Sequence, residues 1–361
     1  MTAITIGGEA FNILIEGGEG KPVVMLSNPL ATNLHYWDPQ LPPLLEHFRV
    51  LRYDSRGHGA TLADHGPYSI AQLGRDALGI LDVLGIEKVH WLGLSLGSVV
   101  GLWLLASAPE RIGRAVLAGA AARMPGPELW NGRIRSARES GMDAAAAAAA
   151  ERWFTKGFRE SEPAKAERVL AMVRATPVHG FVATCAALRD MDLREAIRTI
   201  RSKVLVIAGR HDMSTPPGMG ALVASSIDGA RFITLEAPHL SNIEDEANFN
   251  KAVVDFLTAP EAPALQPEKA SPAMAPSRRA ATKKAAGKKS AAGKKPAKKK
   301  GAAKKPAGKK VAVKKAPAKK ATKILKATEP EKRPAAKKSA RKGRVKKTAA
   351  ATKKAARKKI R

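Results

Sequence analysis

The sequence predicts an α/β fold, with a mostly parallel, doubly wound sheet, an inserted helical cap and a disordered Lys/Ala/Pro-rich C-terminal tail. Three observations predict it. Short apolar runs alternate with helical patterns, a small-residue turn follows one of those runs at Gly93-Leu94-Ser95-Leu96-Gly97, and the charge balance changes abruptly near residue 260. Parallel strands are covered on both faces and therefore read as unbroken apolar stretches rather than alternating ones. Such stretches occur at residues 11–16, 22–26, 50–53, 89–92, 114–118, 204–208 and 231–235.

Between residues 118 and 200 no strand pattern is evident. That stretch holds Trp130, an alanine run at 144–150, Trp153-Phe154 and an apolar helical pattern around 169–173. Alanine loses no side-chain entropy on entering a helix, so the run reads as helix. The whole stretch reads as a cap that covers an active site, excludes water and shapes a pocket. The expected organisation is core at 1–120, cap at 121–200, core again at 201–260 and tail at 261–361.

The turn carries the chemistry. Gly93-Leu94-Ser95-Leu96-Gly97 follows the apolar run at 89–92 and precedes a small, apolar, helix-like stretch. A strand that passes through G-x-S-x-G into a helix has the form of the nucleophile elbow of α/β-hydrolases. The alternative is an ordinary strand-to-helix turn. A serine hydroxyl needs a base, and the base needs an orienting carboxylate, in the chain order Ser, Asp or Glu, His. Asp212 lies just beyond the run 204–208, and His239 just beyond 231–235. Both positions are loops at carboxyl ends of strands, where open parallel sheets place ligand-binding groups.

Each assignment has a rival. Asp212 also suits an N-cap or Asx-turn before Ser214-Thr215-Pro216-Pro217, and His239 a loop histidine without a role. Asp54 precedes Ser95 and is expected to fix a loop by side-chain hydrogen bonds, while Asp190 and Asp192 precede the late strand. His58 and His211 read as structural. For an oxyanion hole, one donor is the N–H of Leu96 and the second comes from the loop Ser27-Asn28-Pro29-Leu30-Ala31-Thr32. Pro29 has no N–H, which leaves Leu30.

Residues 1 to about 258 resemble the 3-oxoadipate enol-lactonases. The likeness lies in Leu26-Ser27-Asn28-Pro29-Leu30-Ala31-Thr32 with Trp37-Asp38-Pro39-Gln40, in Tyr53-Asp54-Ser55-Arg56-Gly57-His58-Gly59, and in the serine turn. It extends to Ala108-Pro109-Glu110-Arg111-Ile112, Ala187-Leu188-Arg189-Asp190-Met191-Asp192-Leu193 and Ala237-Pro238-His239-Leu240-Ser241-Asn242. Ala31 stands where that family usually has glycine, and Leu96 where methionine is common. The resemblance implies a small lactone substrate carrying a carboxylate, opened in aromatic compound degradation. Such a substrate calls for a cation, and Trp130-Asn131-Gly132-Arg133 places Arg133 three residues after Trp130 on one helical face. Arg133 as carboxylate partner and Trp130 as pocket wall are the expectation, with a solvated arginine beside a core tryptophan as the alternative. Other readings within hydrolases are a general carboxylesterase, a different lactonase or a perhydrolase.

Residues 261–361 hold 37 Lys and Arg against 4 Glu, a net of +33; the remaining 26 basic and 28 acidic residues leave 1–260 at −2. The tail has no Phe, Tyr or Trp and cannot bury enough apolar surface to offset its ordering entropy. Its composition resembles linker-histone and bacterial histone-like tails. Non-specific DNA or another polyanion is therefore its expected partner, and a nucleoid-associated protein carrying a hydrolase domain is the competing function class. A sticky appendage with no selected partner is the plainer reading. Lone Cys185 excludes an intrachain disulfide and suits a reducing cytoplasm. No metal-ligand spacing, dinucleotide fingerprint, signal peptide or long apolar span is evident, so no cofactor, metal or membrane span is expected.

Overall fold

The chain enters a hairpin of β1 (Thr2–Ile6) and β2 (Glu9–Glu16) and then β3 (Val23–Ser27). A short helix, α1 (Leu41–Leu45), leads to β4 (Arg49–Tyr53), and α2 (Ile70–Val83) leads to β5 (Val89–Leu94). Next come α3 (Leu96–Ser107) and β6 (Ile112–Ala118). Four helices follow, α4 (Pro127–Trp153), α5 (Lys156–Ser161), α6 (Pro163–Ala175) and α7 (Val178–Asp190). The last stretch runs through β7 (Lys203–Gly209), α8 (Pro217–Ser226), β8 (Arg231–Leu235), α9 (Ser241–Glu244) and α10 (Glu246–Thr258). This computed structural model describes residues 2–61 and 66–260. The basic tail expected at 261–361 lies outside the described residues.

The eight strands form one sheet in the order β1-β2-β4-β3-β5-β6-β7-β8. The first two pairings, β1 with β2 and β2 with β4, are antiparallel, and the other five are parallel. The inner parallel strands are the buried part: β7 is buried at every residue after Lys203 and β6 at every residue except Gly113, whereas β8, at the far edge, is exposed at Arg231 and Phe232. Their apolar runs are the ones the sequence shows. The strand not anticipated is β1, whose five residues are exposed or only partly buried at an edge of the sheet. Only Ile4 and Ile6 pack, partly buried, against the core, which leaves no continuous apolar run to read.

From β3 the chain turns one way, to β4, and from β5 the other way, to β6. A crevice opens at the carboxyl ends of two such strands, at the topological switch point. The register Ser27↔Gly93, Leu94↔Ala118, Ala118↔Ile207 and Gly209↔Leu235 brings those ends level across the sheet. Helix α3 is apolar on all sides and packs against β3, β5 and β6. It approaches closely because position 97 is glycine, where a Cβ would sit 2.0 Å from the Ser27 carbonyl oxygen.

Of the four helices between β6 and β7, α4, α6 and α7 belong to the same buried apolar cluster as the sheet, and α5 packs Phe158 against it. The alanine run at 144–150 is helical within α4, and α4 packs against α6 and α7. Helix α4 is broken at Gly141, whose φ of 73° and ψ of −170° are not helical. Its two halves therefore point in different directions. Among the described residues, no single helix is long and apolar enough to cross a membrane.

Candidate active site

Ser95 is the hinge between β5 and α3, with φ 55° and ψ −110°. A non-glycine residue held there costs on the order of 1–3 kcal/mol and persists only where its surroundings fix it. They do so here. Ser95 N–H donates to Ala118 O at 2.8 Å, and its carbonyl accepts from Ser98 and Val99. Ser98 Oγ lies 2.8 Å from Gly93 O and 2.6 Å from Ala118 O. The turn is thus tied to both β5 and β6 and presents Ser95 to a cavity.

Asp212 and His239 meet across two adjacent loops. Their nearest atoms, Asp212 Oδ2 and His239 Nδ1, are 2.8 Å apart, and both side chains are almost wholly buried. The loops can touch because Gly209 has no side chain; a Cβ there would lie 2.1 Å from Pro238 O. Asp212 Oδ1 accepts from the N–H groups of Ser214 at 2.7 Å and Thr215 at 2.8 Å. Thr215 Oγ donates to Oδ2 at 2.7 Å. So Asp212 makes the Asx-type turn and also faces the histidine; the two readings of this residue are compatible. Burial by itself would raise the Asp212 carboxyl, but the positive charge and hydrogen bond offered by His239, with the Thr215 donors, hold it below the ordinary carboxylate range. A carboxylate so held keeps the ring proton on Nδ1, which leaves Nε2 free to accept one.

The His239 loop is pinned in turn. Tyr36 O–H donates to Asn242 Oδ1 at 2.5 Å, Gln40 Nε2 donates to Asn242 O at 2.8 Å, and Asn242 Nδ2 donates to Gln40 Oε1 at 3.0 Å. The Leu30 loop is fixed from β4, where Tyr53 O accepts from Asn28 Nδ2 and the Tyr53 hydroxyl meets Ser27 Oγ, both at 2.8 Å. Ala31 sits at φ 61°, buried. That left-handed conformation explains why glycine suits this position, and alanine bears roughly 1–2 kcal/mol of strain there. Leu96 is the first residue of α3, and the first N–H groups of a helix have no intrahelical acceptor.

One cavity of about 400 Å³ gathers these elements. Leu30, Ser95 and His239 line it with Trp130 and Arg133, so five of the seven residues singled out from sequence face one space. Asp212 stands behind His239, and Leu96 is buried beneath the serine turn. The size suits a small organic molecule. Arg133 Cζ lies 4.3 Å from the Trp130 ring centroid, a cation–π contact. Burial lowers the pKa of Arg133 and brings that of Arg152, which lines the same cavity beside Trp153, down to about 10.

Sequence reasoning missed Thr215 and Arg152. An Asx-turn signal surrounds Thr215, but nothing local shows that its hydroxyl reaches the carboxylate. Arg152 follows the alanine run with no motif at all. Among the rival residues, Asp54 accepts from Leu34 N at 2.7 Å, Ala60 N at 2.8 Å and Asn12 Nδ2 at 2.8 Å, fixing loops away from the cavity. His211 is exposed beside Glu236, and His58 is buried against Arg56 O. Neither lines the cavity.

Comparison with known proteins agrees with this architecture. The alpha/beta hydrolase fold family matches residues 13–246. The chain is 36% identical over 250 residues to 3-oxoadipate enol-lactonase 2 of Acinetobacter baylyi, covering 69% of this chain and 94% of that protein. The crystal structure of the enol-lactonase from Burkholderia xenovorans superposes with a TM-score of 0.70 at 41% identity, covering 71% of this chain and all of that one. A hydrolase from Pseudomonas aeruginosa gives a TM-score of 0.70 at 44% identity, over 72% of this chain and 98% of that one.

The depressed Asp212 pKa has a consequence for stability. A carboxyl whose folded value lies below its unfolded value stabilises the fold fully above the unfolded value, about 3.9, and loses that contribution as the pH falls through the folded one. The stability gap between wild type and Asp212→Asn is expected to be larger at pH 6 than at pH 3 in urea unfolding. A gap that stays constant or widens in acid would show that the site does not favour the ionised form.

Proposed function

We propose that this chain, which belongs to the α/β-hydrolase fold family, opens 3-oxoadipate enol-lactone to 3-oxoadipate, a step of aromatic degradation by the β-ketoadipate route. The observation that carries the reading is a buried carboxylate–imidazole pair whose histidine shares one small cavity with a strained serine. The likeness to enol-lactonases supports the choice of substrate.

In this mechanism His239 Nε2 takes the Ser95 hydroxyl proton as Oγ attacks the lactone carbonyl carbon, and Asp212 stabilises the imidazolium. The carbonyl oxygen takes up the negative charge and meets the N–H groups of Leu96 and Leu30, each such donor contributing about 100- to 1,000-fold in rate. Collapse of the tetrahedral intermediate re-forms the carbonyl and breaks the ring C–O bond. The released enol oxygen accepts the proton from His239 and the enol converts to the ketone. It is a better leaving group than an alkoxide because its charge is delocalised. Water then gives a proton to His239 and its oxygen to the acyl carbon, the bond from that carbon to Ser95 Oγ breaks, and His239 returns the proton to Oγ as the dicarboxylic product leaves. Arg133, carried on Trp130, holds the carboxylate that does not react.

The tail is accessory in this reading. Its charge of +33 and lack of aromatics favour non-specific electrostatic binding to duplex DNA. A cytoplasmic location, near the nucleoid where the tail binds, suits both parts.

Two measurements test these proposals. Ser95→Ala is expected to lower turnover of the enol-lactone below about one per cent of wild type without loss of the folded state. Retention of more than a few per cent in the purified variant would remove Ser95 from the mechanism. Duplex DNA affinity is expected to vanish on deletion of residues 261–361 and to fall steeply between low and high salt. Affinity that survives deletion, or ignores salt, would contradict the assignment to the tail.

A further inference from the structure

We propose that Arg133 and Arg152 form a two-guanidinium clamp for the substrate carboxylate that does not react, which makes Arg152 a specificity-determining residue. The inference rests on the hydrolase reading above and goes beyond it by naming a second cation and what the pair selects.

The two arginines are 19 positions apart on α4. On a straight helix that separation would be about 28 Å. Yet both line one cavity, each acts electrostatically on Cys185, and Arg133 acts on Arg152. The break at Gly141 makes this possible, since each half of α4 supplies one cation.

Neither charge is neutralised by the protein. Among the described residues, neither arginine forms an ion pair or a hydrogen bond with another side chain, and the Nε atom of each is buried with no partner. Burial pushes the neighbouring Cys185 thiol up to about 12, so it stays neutral. Glu128 lines the same cavity but is exposed and pairs with neither. Burial makes each charge costly, and the like charge of Arg133 adds to that cost at Arg152.

An entering carboxylate removes it. Its two oxygens offer about four acceptor sites, enough for two guanidinium groups at once, and charge-assisted bonds of this kind are the strong ones. A neutral acyl chain would leave both cations unsatisfied and would be disfavoured. The cavity therefore selects esters and lactones that carry a carboxylate, which in the ring-opened acyl-enzyme stands at the far end of the acyl chain. The dicarboxylic product carries the same group, so short dicarboxylates should occupy the cavity without any reaction at Ser95.

Titration calorimetry on the full chain with adipate tests the clamp without hydrolysis. Wild type is expected to bind saturably, Arg152→Gln at least about tenfold more weakly, and Arg152→Lys in between, as loss of a charged hydrogen bond implies. The tail is common to all three proteins and cancels in the comparison. Kinetics on two aryl esters of equal acyl length give a second readout: the p-nitrophenyl monoester of succinate, and p-nitrophenyl butyrate. The preference for the carboxylated ester is expected to fall at least about tenfold in Arg152→Gln, mainly through KM. Failure of wild type to bind adipate, equal adipate affinity in wild type and Arg152→Gln, or an unchanged ester preference would overturn the clamp. Adipate binding that needs Arg152, with neither ester hydrolysed, would support the clamp and instead sink the hydrolase reading.

Discussion

The parallel register of the sheet is the constraint on which the site depends. Ser27 stands level with Gly93, Leu94 with Ala118, and Gly209 with Leu235. Because the strand ends are level, the loops that follow them share one floor. The Leu30 loop leaves β3, the serine turn leaves β5, and the loops of Asp212 and His239 leave β7 and β8. A shift of one residue in any of these pairings would move a reacting group by more than 3 Å, enough to break the hydrogen bonds between these loops. The buried apolar faces prevent such a shift, since a slip would exchange the side chains of two differently packed faces.

Close approach is the second requirement, and it is met by missing side chains. Gly97 lets α3 settle against the carbonyl of Ser27, and Gly209 lets the aspartate loop press on the histidine loop. Strain is then confined to two positions, Ser95 and Ala31, the non-glycine residues with positive φ among those described. They lie on the two loops that flank the switch point, and both line the cavity. Backbone hydrogen bonds hold Ser95 there, and the anchoring of Ser27 and Asn28 to Tyr53 secures the other loop.

Local chemistry made much of this legible. Ser95, Asp212 and His239 each follow a strand-like run, so their placement at strand ends could be read directly. The helical character of residues 144–150 follows from alanine itself. What escaped reading depends on tertiary geometry. β1 packs only Ile4 and Ile6 against the core, a pattern too short to read. The reach of Thr215 to Asp212 depends on the turn between them. Arg152 joins Arg133 only because α4 breaks at Gly141, and a glycine within a helical pattern does not reveal which way the chain will turn. Ala31 marks a limit of another kind: its identity favours helix, while the loop imposes φ 61°.

The reading stands or falls on whether Ser95 is an activated nucleophile. Treating the full chain with a stoichiometric fluorophosphonate and mapping the product by peptide mass spectrometry tests this directly. A single phosphonyl adduct, on Ser95, is expected. An unlabelled protein, or an adduct on another side chain with Ser95 untouched, would contradict it.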